Sequence, residues 1–544
     1  MESSYPAAAR TLEPVFAFMS SSLAQLETTF YKIPGSHVAA RYVKSSHQND
    51  PGRTVVEVLI FVFLIFTILQ QRTRAGDDER HFIKYSDEEI DESVDDWTPE
   101  PLGAPLDDVE TADLAAVPVI VGPIGPKPRL LNSSKPVINM VSYNFTGLAG
   151  NELIRDRAIE TLRKYGLGSC GPPGFYGTID VHMELERNLA DFLGTESVIL
   201  YSQSFSTIPS VISAFAKRHD IIVADRGVNF AIQKGLQISR STIRWFDHND
   251  PRSLEDVLIA VEKERKKRRA PLTRRFIVTE GIFEKDGSMA DLPRIIELKN
   301  KYKFRLILDE SISFGTVGRT GRGLTELYNV PASEVDMLVG SVANGLNSAG
   351  GFCAGARAVT EHQRINGTSF VFSAAGPALL AVAASEGINI LCNTPSLLST
   401  LRGNIAAVRA ILDRVDVLDI PSHPASPIIH LHVRTTPTPT TNGLLDPSSA
   451  ATISTGKSNP LSVHPREPPT FDIAREERLL QELVDECLAQ GVWITRAKRL
   501  RGQELVEARP SVRLAVSAAL SRKDCERAAQ VVRAAAGKVL GRRR

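Results

Sequence analysis

Between residues 197 and 342 the chain repeats one pattern, a short and nearly continuous apolar run followed by a stretch with helical periodicity. The runs are SVILYS (197–202), DIIVAD (220–225), TIRWF (242–246), RFIVTE (275–280), FRLILD (304–309) and DMLVGSV (336–342). Helical patterns fall near 151–164, 182–193, 228–239, 252–265 and 291–302. Strands that are apolar on both faces must be covered on both faces, and intervening helices supply that cover. The expected fold class is therefore α/β, with a mostly parallel sheet in a large domain over 139–400. A smaller α+β domain, 401–544, reads as a helix at 401–414, a strand at 427–433, a helix at 473–490, strands near 492–497 and 512–517, and a last helix at 521–540. It is interrupted by 434–470, rich in Thr, Pro and Ser and without periodicity, which predicts a disordered surface insertion.

Upstream, residues 1–53 carry Leu12, Phe16, Met19, Leu23, Leu26 and Phe30 at alternating steps of four and three, one face of an amphipathic helix. Such a face packs on its own protein, on a membrane or on a partner's helix. Residues 54–69, TVVEVLIFVFLIFTIL, are the most apolar run in the chain. The run is just under the ~17–20 residues a spanning helix needs, and it begins too late for a signal peptide. A membrane helix over 54–70 is expected, with a buried core helix as the alternative. Arg41, Lys44 and Arg53 precede it and Arg72, Arg74, Arg80 and Lys84 follow, so the charge rule leaves its orientation open. The lead-in 71–138 is acidic and then proline-rich. It predicts a short helix at 86–94 and extended chain past Pro99, Pro101 and Pro105. Lys+Arg of 64 against Asp+Glu of 63 argues against a nucleic-acid partner. The five cysteines show no paired spacing, which fits a reducing compartment rather than disulfides or zinc. The basic run Lys263–Arg275 fits a solvated helix end, with an anionic headgroup surface as the alternative.

Two stretches carry the chemical signal. Tyr165–Glu186, YGLGSCGPPGFYGTIDVHMELE, holds Gly166, Gly168, Gly171, Gly174 and Gly177 with Pro172 and Pro173, which exclude a helix interior and build a tight loop. Gly171 and Gly174 are expected to hold angles or approaches that a β-carbon would disturb. His182, Glu184 and Glu186 open the next helix, but their spacing does not gather them on one face as HExxH does, so no metal site is expected. The second stretch is DMLVGSVANGLNSAGGFCAG, 336–355. It reads as a strand, Met337–Val342, running into a turn closed by Gly350 and Gly351, then a second strand, Phe352–Gly355. The side chain presented there is Asn344, which is neither nucleophile, base nor acid.

The first of these stretches, with IVTEGIFEKDGSMADLPRIIELKNKY (277–302) and LILDESISFGTVGRTGRG (306–323), resembles the α-oxoamine synthases. These are pyridoxal-phosphate enzymes of the aspartate-aminotransferase fold (fold type I) that condense an amino acid with an acyl-CoA. Cys170 before Gly-Pro and DDWTPEPL (95–102) resemble more specifically one subunit type of the heteromeric, serine-using members. The resemblance covers roughly residues 85–540 apart from the insertion. It places the family's Schiff-base lysine at Asn344 and the preceding phosphate-binding hydroxyl at Ala343. The ring-stacking histidine falls on Asn229 and a second histidine on Ile312. Asp309, the family's partner of the pyridine nitrogen, is retained. Lys285 and Lys299 read as lying beyond the sheet, on a turn and on a solvated helix.

By the same resemblance, active sites of this family lie at a dimer interface. Ser373, in Phe372-Ser373-Ala374-Ala375-Gly376-Pro377, would approach the cofactor of the other subunit, with Ala374 at a threonine position. The loop of Cys170, Gly171, Gly174, Phe175, Tyr176 and Gly177 would line the interface, although Pro173 stands where relatives carry arginine. A carboxamide forms no imine and moves no proton at a substrate α-carbon. The resemblance thus implies a non-catalytic but required subunit. Pyridoxal phosphate would be bound covalently by a homologous catalytic subunit, with small regulatory membrane subunits as further partners. L-Serine and palmitoyl-CoA would meet at the shared site and give 3-ketosphinganine, at the endoplasmic reticulum membrane with the body cytosolic. The rivals are a self-sufficient homodimeric synthase, disfavoured by Asn344, and a membrane-tethered scaffold or sensor without an enzyme partner.

Overall fold

The structure, a computed structural model, describes residues 31–541 apart from 33–34, 79–84, 100–101, 104, 107, 132, 134, 269–270, 272, 435–471, 499, 501–502 and 505–507. The amphipathic pattern at 12–30 lies outside the described residues, as does nearly all of the 434–470 insertion. The chain divides into two compact units, Met1–Ala112 and Asp113–Arg544.

In the first unit, a helix Ser36–Asn49 precedes one of 28 residues, Pro51–Asp78. Its window Pro51–Ile68 has a mean hydropathy of 1.9 and none of it is buried, which favours the membrane helix over the core-helix alternative. Those 18 residues span about 27 Å at ~1.5 Å per residue, against the ~30 Å core of a bilayer. Glu57, the acid inside the apolar run, is paired with Arg53 at 2.9 Å one helical turn earlier. The expected short helix is Asp87–Asp95, with Ser86 and Glu89 forming a reciprocal capping box.

The chain past Pro105 is not extended throughout. Asp108–Ala115 is helical, and Asp113 meets Arg496 at 2.5 Å and Lys498 at 2.8 Å, tertiary pairing that a local reading of prolines misses.

The second unit is built on a seven-stranded sheet of β1 (Ser197–Tyr201), β2 (Ile221–Asp225), β3 (Thr242–Phe246), β4 (Arg275–Glu280), β5 (Arg305–Asp309), β6 (Met337–Ser341) and β7 (Gly351–Gly355). The order is β1-β7-β6-β5-β4-β2-β3. All neighbours are parallel except β7, which runs antiparallel to β1 and β6. β6 and β7 are buried along their whole length and β4 and β5 nearly so, as strands covered on both faces must be. Register sets Glu280 opposite Asp309, so neighbouring strands deliver two acids to the same sheet edge. A four-stranded antiparallel sheet follows, β8 (Leu418–Asp419), β9 (Ile428–Val433), β10 (Thr495–Arg496) and β11 (Val512–Ala515), in the order β8-β9-β11-β10. Helices Ser396–Leu412, Ile473–Ala489 and Arg522–Leu540 belong to this part of the chain.

Two features of the second unit also differ from expectation. Between β6 and the closing glycines lies a helix, Val342–Leu346, where a plain turn was expected. Ser341 Oγ accepts from the Ala343 N–H, and Asn347 ends the helix in the left-handed region (φ 53°). Gly350 (φ 113°) then closes it, because a β-carbon there would sit 2.6 Å from the Tyr201 carbonyl. The helix Ser204–Phe215 has no counterpart in the periodicity, since its apolar residues surround the axis rather than forming a stripe.

Candidate functional site

The C-terminal ends of β4 and β5 open into a cavity of about 530 Å³ lined by Asn229, Glu280, Asp309, Ser311, Ile312 and Asn344, with Arg513 on the side of the small sheet. Asn229 holds three groups at once. Its Oδ1 accepts from the Ile232 N–H (2.9 Å) and caps the helix Phe230–Ser239, its own N–H donates to Glu280 Oε1 (2.6 Å), and its Nδ2 donates to Asp309 Oδ2 (3.0 Å). The other Asp309 oxygen accepts from the Ser311 N–H (2.9 Å) and hydroxyl (2.5 Å). The one cofactor-type carboxylate that the resemblance retains is therefore satisfied by its own chain. Burial raises the Asp309 pKa, offset in part by Ser311 and Asn229. Burial also pushes Glu280 well above the ordinary range, reinforced by Asp309 and Glu284.

Asn344 Nδ2 donates to the Ser311 carbonyl at 2.9 Å, closing the same network from the β6 side. Ala343 offers no side-chain donor, and Ile312 is buried at 5% exposure. These residues do not fit pyridoxal phosphate. No amine stands at 344, no hydroxyl stands at 343, and Asp309 already accepts three hydrogen bonds from Asn229 and Ser311. Of the two lysines, Lys285 lies where expected and Lys299 does not. Lys285 does lie on the turn after β4, yet it lines this cavity, with its ammonium 2.6 Å from Glu504. Lys299 is not solvated but 6% exposed, bound to Asp336 at 2.7 Å and to the Glu334 carbonyl.

The glycine-rich loop lies elsewhere on the body. Gly174 (φ 81°) needs its glycine for conformation, and Gly171 for approach, since a β-carbon there would meet the Tyr176 ring at 2.4 Å. Two neighbours are as constrained. Cys170 itself adopts φ 57° and is exposed, and a β-carbon on Gly177 would lie 1.8 Å from the Gly171 carbonyl oxygen. Phe175, Tyr176 and Phe372 stand 68%, 77% and 84% exposed. The structure brings the loop and the Ser373 segment together. Ala375 N–H donates to the Gly171 carbonyl (2.9 Å), Ser169 Oγ to the Ala375 carbonyl (2.7 Å), and His182 Nε2 to the Gly376 carbonyl (2.7 Å). Among the described residues Ser373 is half-buried and its hydroxyl makes no hydrogen bond. His182 Nδ1 accepts from the Ile179 N–H (3.2 Å), so both ring nitrogens are engaged, and Glu186 is paired with Arg364 (2.6 Å). No group of three His, Cys, Asp or Glu side chains suited to a metal ion occurs among the described residues.

The family Aminotransferase class I and II matches residues 135–532. Serine palmitoyltransferase 1 of Saccharomyces cerevisiae is 36% identical over 520 residues, 92% of this chain and 92% of the yeast protein. The chain belongs to the serine palmitoyltransferase 1 family. A plant relative, long chain base biosynthesis protein 1c of Oryza sativa, is 41% identical over 422 residues, covering 78% of this chain and 84% of its own. The serine palmitoyltransferase of Sphingomonas wittichii superposes with a TM-score of 0.64 at 21% identity, over 80% of this chain and 98% of that one. The S. paucimobilis serine palmitoyltransferase, solved with a bound PLP–myriocin aldimine, gives 0.64 at 20% identity over 78% and 93%. These structures share the fold inferred from the strand–helix alternation. The cavity at the ends of β4 and β5 brings together Asn229, Asp309, Ile312 and Asn344, four of the positions that the sequence resemblance singles out.

Proposed function

We propose that this chain is the non-catalytic but required subunit of a heteromeric serine palmitoyltransferase. The complex condenses L-serine with palmitoyl-CoA, releasing CO2 and CoA and giving 3-ketosphinganine, the first step of sphingolipid synthesis. One observation carries the non-catalytic role. The position that would supply the amine holds Asn344, whose amide is bonded to Ser311, while Asn229 occupies the carboxylate of Asp309. A homologous catalytic subunit then provides the lysine and holds pyridoxal phosphate, which supplies the electron sink for decarboxylation.

This chain's part is to complete that subunit's site from across the interface. Ser373 carries a hydroxyl that makes no hydrogen bond among the described residues, and the Cys170–Gly177 loop exposes Phe175 and Tyr176. The helix within 54–70 anchors the complex in the endoplasmic reticulum membrane with the body in the cytosol, alongside small regulatory membrane subunits. The large domain is taken as 139–400 and the small one as 401–544.

The test is to purify the solubilised chain and identify its stoichiometric companions. A homologue with lysine at the position of Asn344, and one cofactor per pair, is expected. Turnover by the isolated chain would overturn the reading.

A further inference from the structure

The loop 169–177 and the segment 372–377 are some 200 residues apart in sequence, yet two hydrogen bonds tie them, Ala375 N–H to the Gly171 carbonyl and Ser169 Oγ to the Ala375 carbonyl, and His182, five residues past the loop, adds a third to the Gly376 carbonyl. The His182 imidazole joins the start of the helix Asp180–Leu193 to the Gly376 carbonyl. That geometry requires one tautomer, with Nδ1 bare toward the Ile179 N–H and the proton on Nε2. His182 and Ser169 are each only 9% exposed, so both bonds are made away from bulk water. The loop also rests on Phe370, whose ring lies 3.6 Å from where a β-carbon of Gly174 would stand. Ser373 itself, three residues before Gly376, has no hydrogen bond of its own among the described residues.

We propose that His182, with Ser169, is a positioning residue that fixes Ser373 for the catalytic site of the partner subunit. This rests on the reading that Ser373 faces the partner's cofactor. The two side chains fuse the segments into a single bracket, and Ser373 keeps its place because Ala375 and Gly376 on its C-terminal side are held. Loosening the bracket lets the segment sample displaced positions. The affinity it contributes then falls by the fraction of time spent displaced. A fold-stabilising residue without this role would change subunit yield or melting temperature but leave cofactor retention per assembled complex unchanged.

The experiment uses the intact complex with the catalytic subunit. It measures pyridoxal-phosphate release by absorbance, with KM and kcat beside it, for His182→Leu, His182→Gln, Ser169→Ala and Ser373→Ala. His182→Leu and Ser169→Ala are each expected to speed release about two- to tenfold, the equivalent of one lost hydrogen bond. Subunit stoichiometry should be unchanged. His182→Gln should restore retention, because an amide can accept from Ile179 and donate to Gly376. If Ser373→Ala speeds release while His182→Leu and Ser169→Ala do not, the positioning role is wrong. If Ser373→Ala has no effect either, the placement of this segment at the partner's site is wrong.

Discussion

Replacing Asn229 with aspartate separates the two jobs this residue performs. The new carboxylate still accepts from the Ile232 N–H and keeps the helix cap, so the ~1 kcal/mol cap contribution is retained. What changes is the contact with Asp309, where an N–H donor at 3.0 Å becomes a second carboxylate. Losing a hydrogen bond to a charged acceptor costs about 1.5–3 kcal/mol. Two carboxylates at that distance cannot both ionise, so one must hold a proton at neutral pH. The sum for Asn229→Asp is about 2–4 kcal/mol at pH 8, when the proton is scarce. It should shrink at pH 5.5, where a shared proton rebuilds an O–H···O bond. Asn229→Ala is the control, losing cap and donor together with no new acid and hence little change in cost between the two pH values. Urea midpoints of the detergent-solubilised chain at both pH values supply the measurement. If Asn229→Asp costs the same at pH 5.5 as at pH 8, Asp309 is not held by Asn229 and the account of the closed cavity is wrong.

Gly177→Ala should destabilise the body by ~1–3 kcal/mol and disturb the partner's kinetics, because its β-carbon would fall on the Gly171 carbonyl; a wild-type thermal midpoint would contradict this. Burial raises the Glu310 pKa to about 7 from an ordinary 4.5. A raised acid contributes stability that is fully present below about pH 4.5 and lost as the pH rises through about 7, here about 3 kcal/mol in all. Glu310→Gln should therefore flatten the stability profile between pH 5 and 8, read by denaturant titration. Carbonate extraction should leave the full-length protein in the membrane fraction, and release into the supernatant would exclude a spanning helix.

Much of the fold could be read locally because its causes are local. Each apolar run became a strand of the large sheet within a residue or two, since a strand covered on both faces has to be apolar throughout. Amphipathic helices such as Asp180–Leu193 and Leu292–Tyr302 were visible for the same reason. Ser204–Phe215 was not, because a helix buried on all sides carries no stripe. Asn344 stood out from the strand–turn pattern, but Asn229 and Asp309 were legible only through the resemblance, and the bonds that join the three were not legible at all. Asn229 and Asp309 are 80 residues apart, and nothing near either one signals that they bond. Lys299 reads as solvated for a related reason, since Asp336, 37 residues on, is what buries and pairs it. Cys170 in the left-handed region was missed because the surrounding glycines are the usual occupants of such angles.

The network also predicts that restoring the lysine alone will not restore an enzyme. Asn344→Lys first removes the bond to the Ser311 carbonyl, about 1 kcal/mol, and loosens the turn that positions Asp309. The new amine then shares its cavity with the acids Glu280 and Asp309, and an ammonium paired with either one is not the neutral amine that attachment of the cofactor needs. Nothing in the exchange frees Asp309 from Asn229, gives Ala343 a hydroxyl or replaces Ile312. Groups that act as a unit are strongly non-additive, so one restored member regains little, and a single acid–base group is worth only ~100- to 10,000-fold in rate. The isolated Asn344→Lys chain with added pyridoxal phosphate should show no stable covalent cofactor band, or a weak one without product. Adding Asn229→His should release Asp309 and strengthen the band, still without turnover near that of the complex. A strong band and full turnover from Asn344→Lys alone would mean that the Asn229–Asp309 bond does not close the site, and that only the amine is missing.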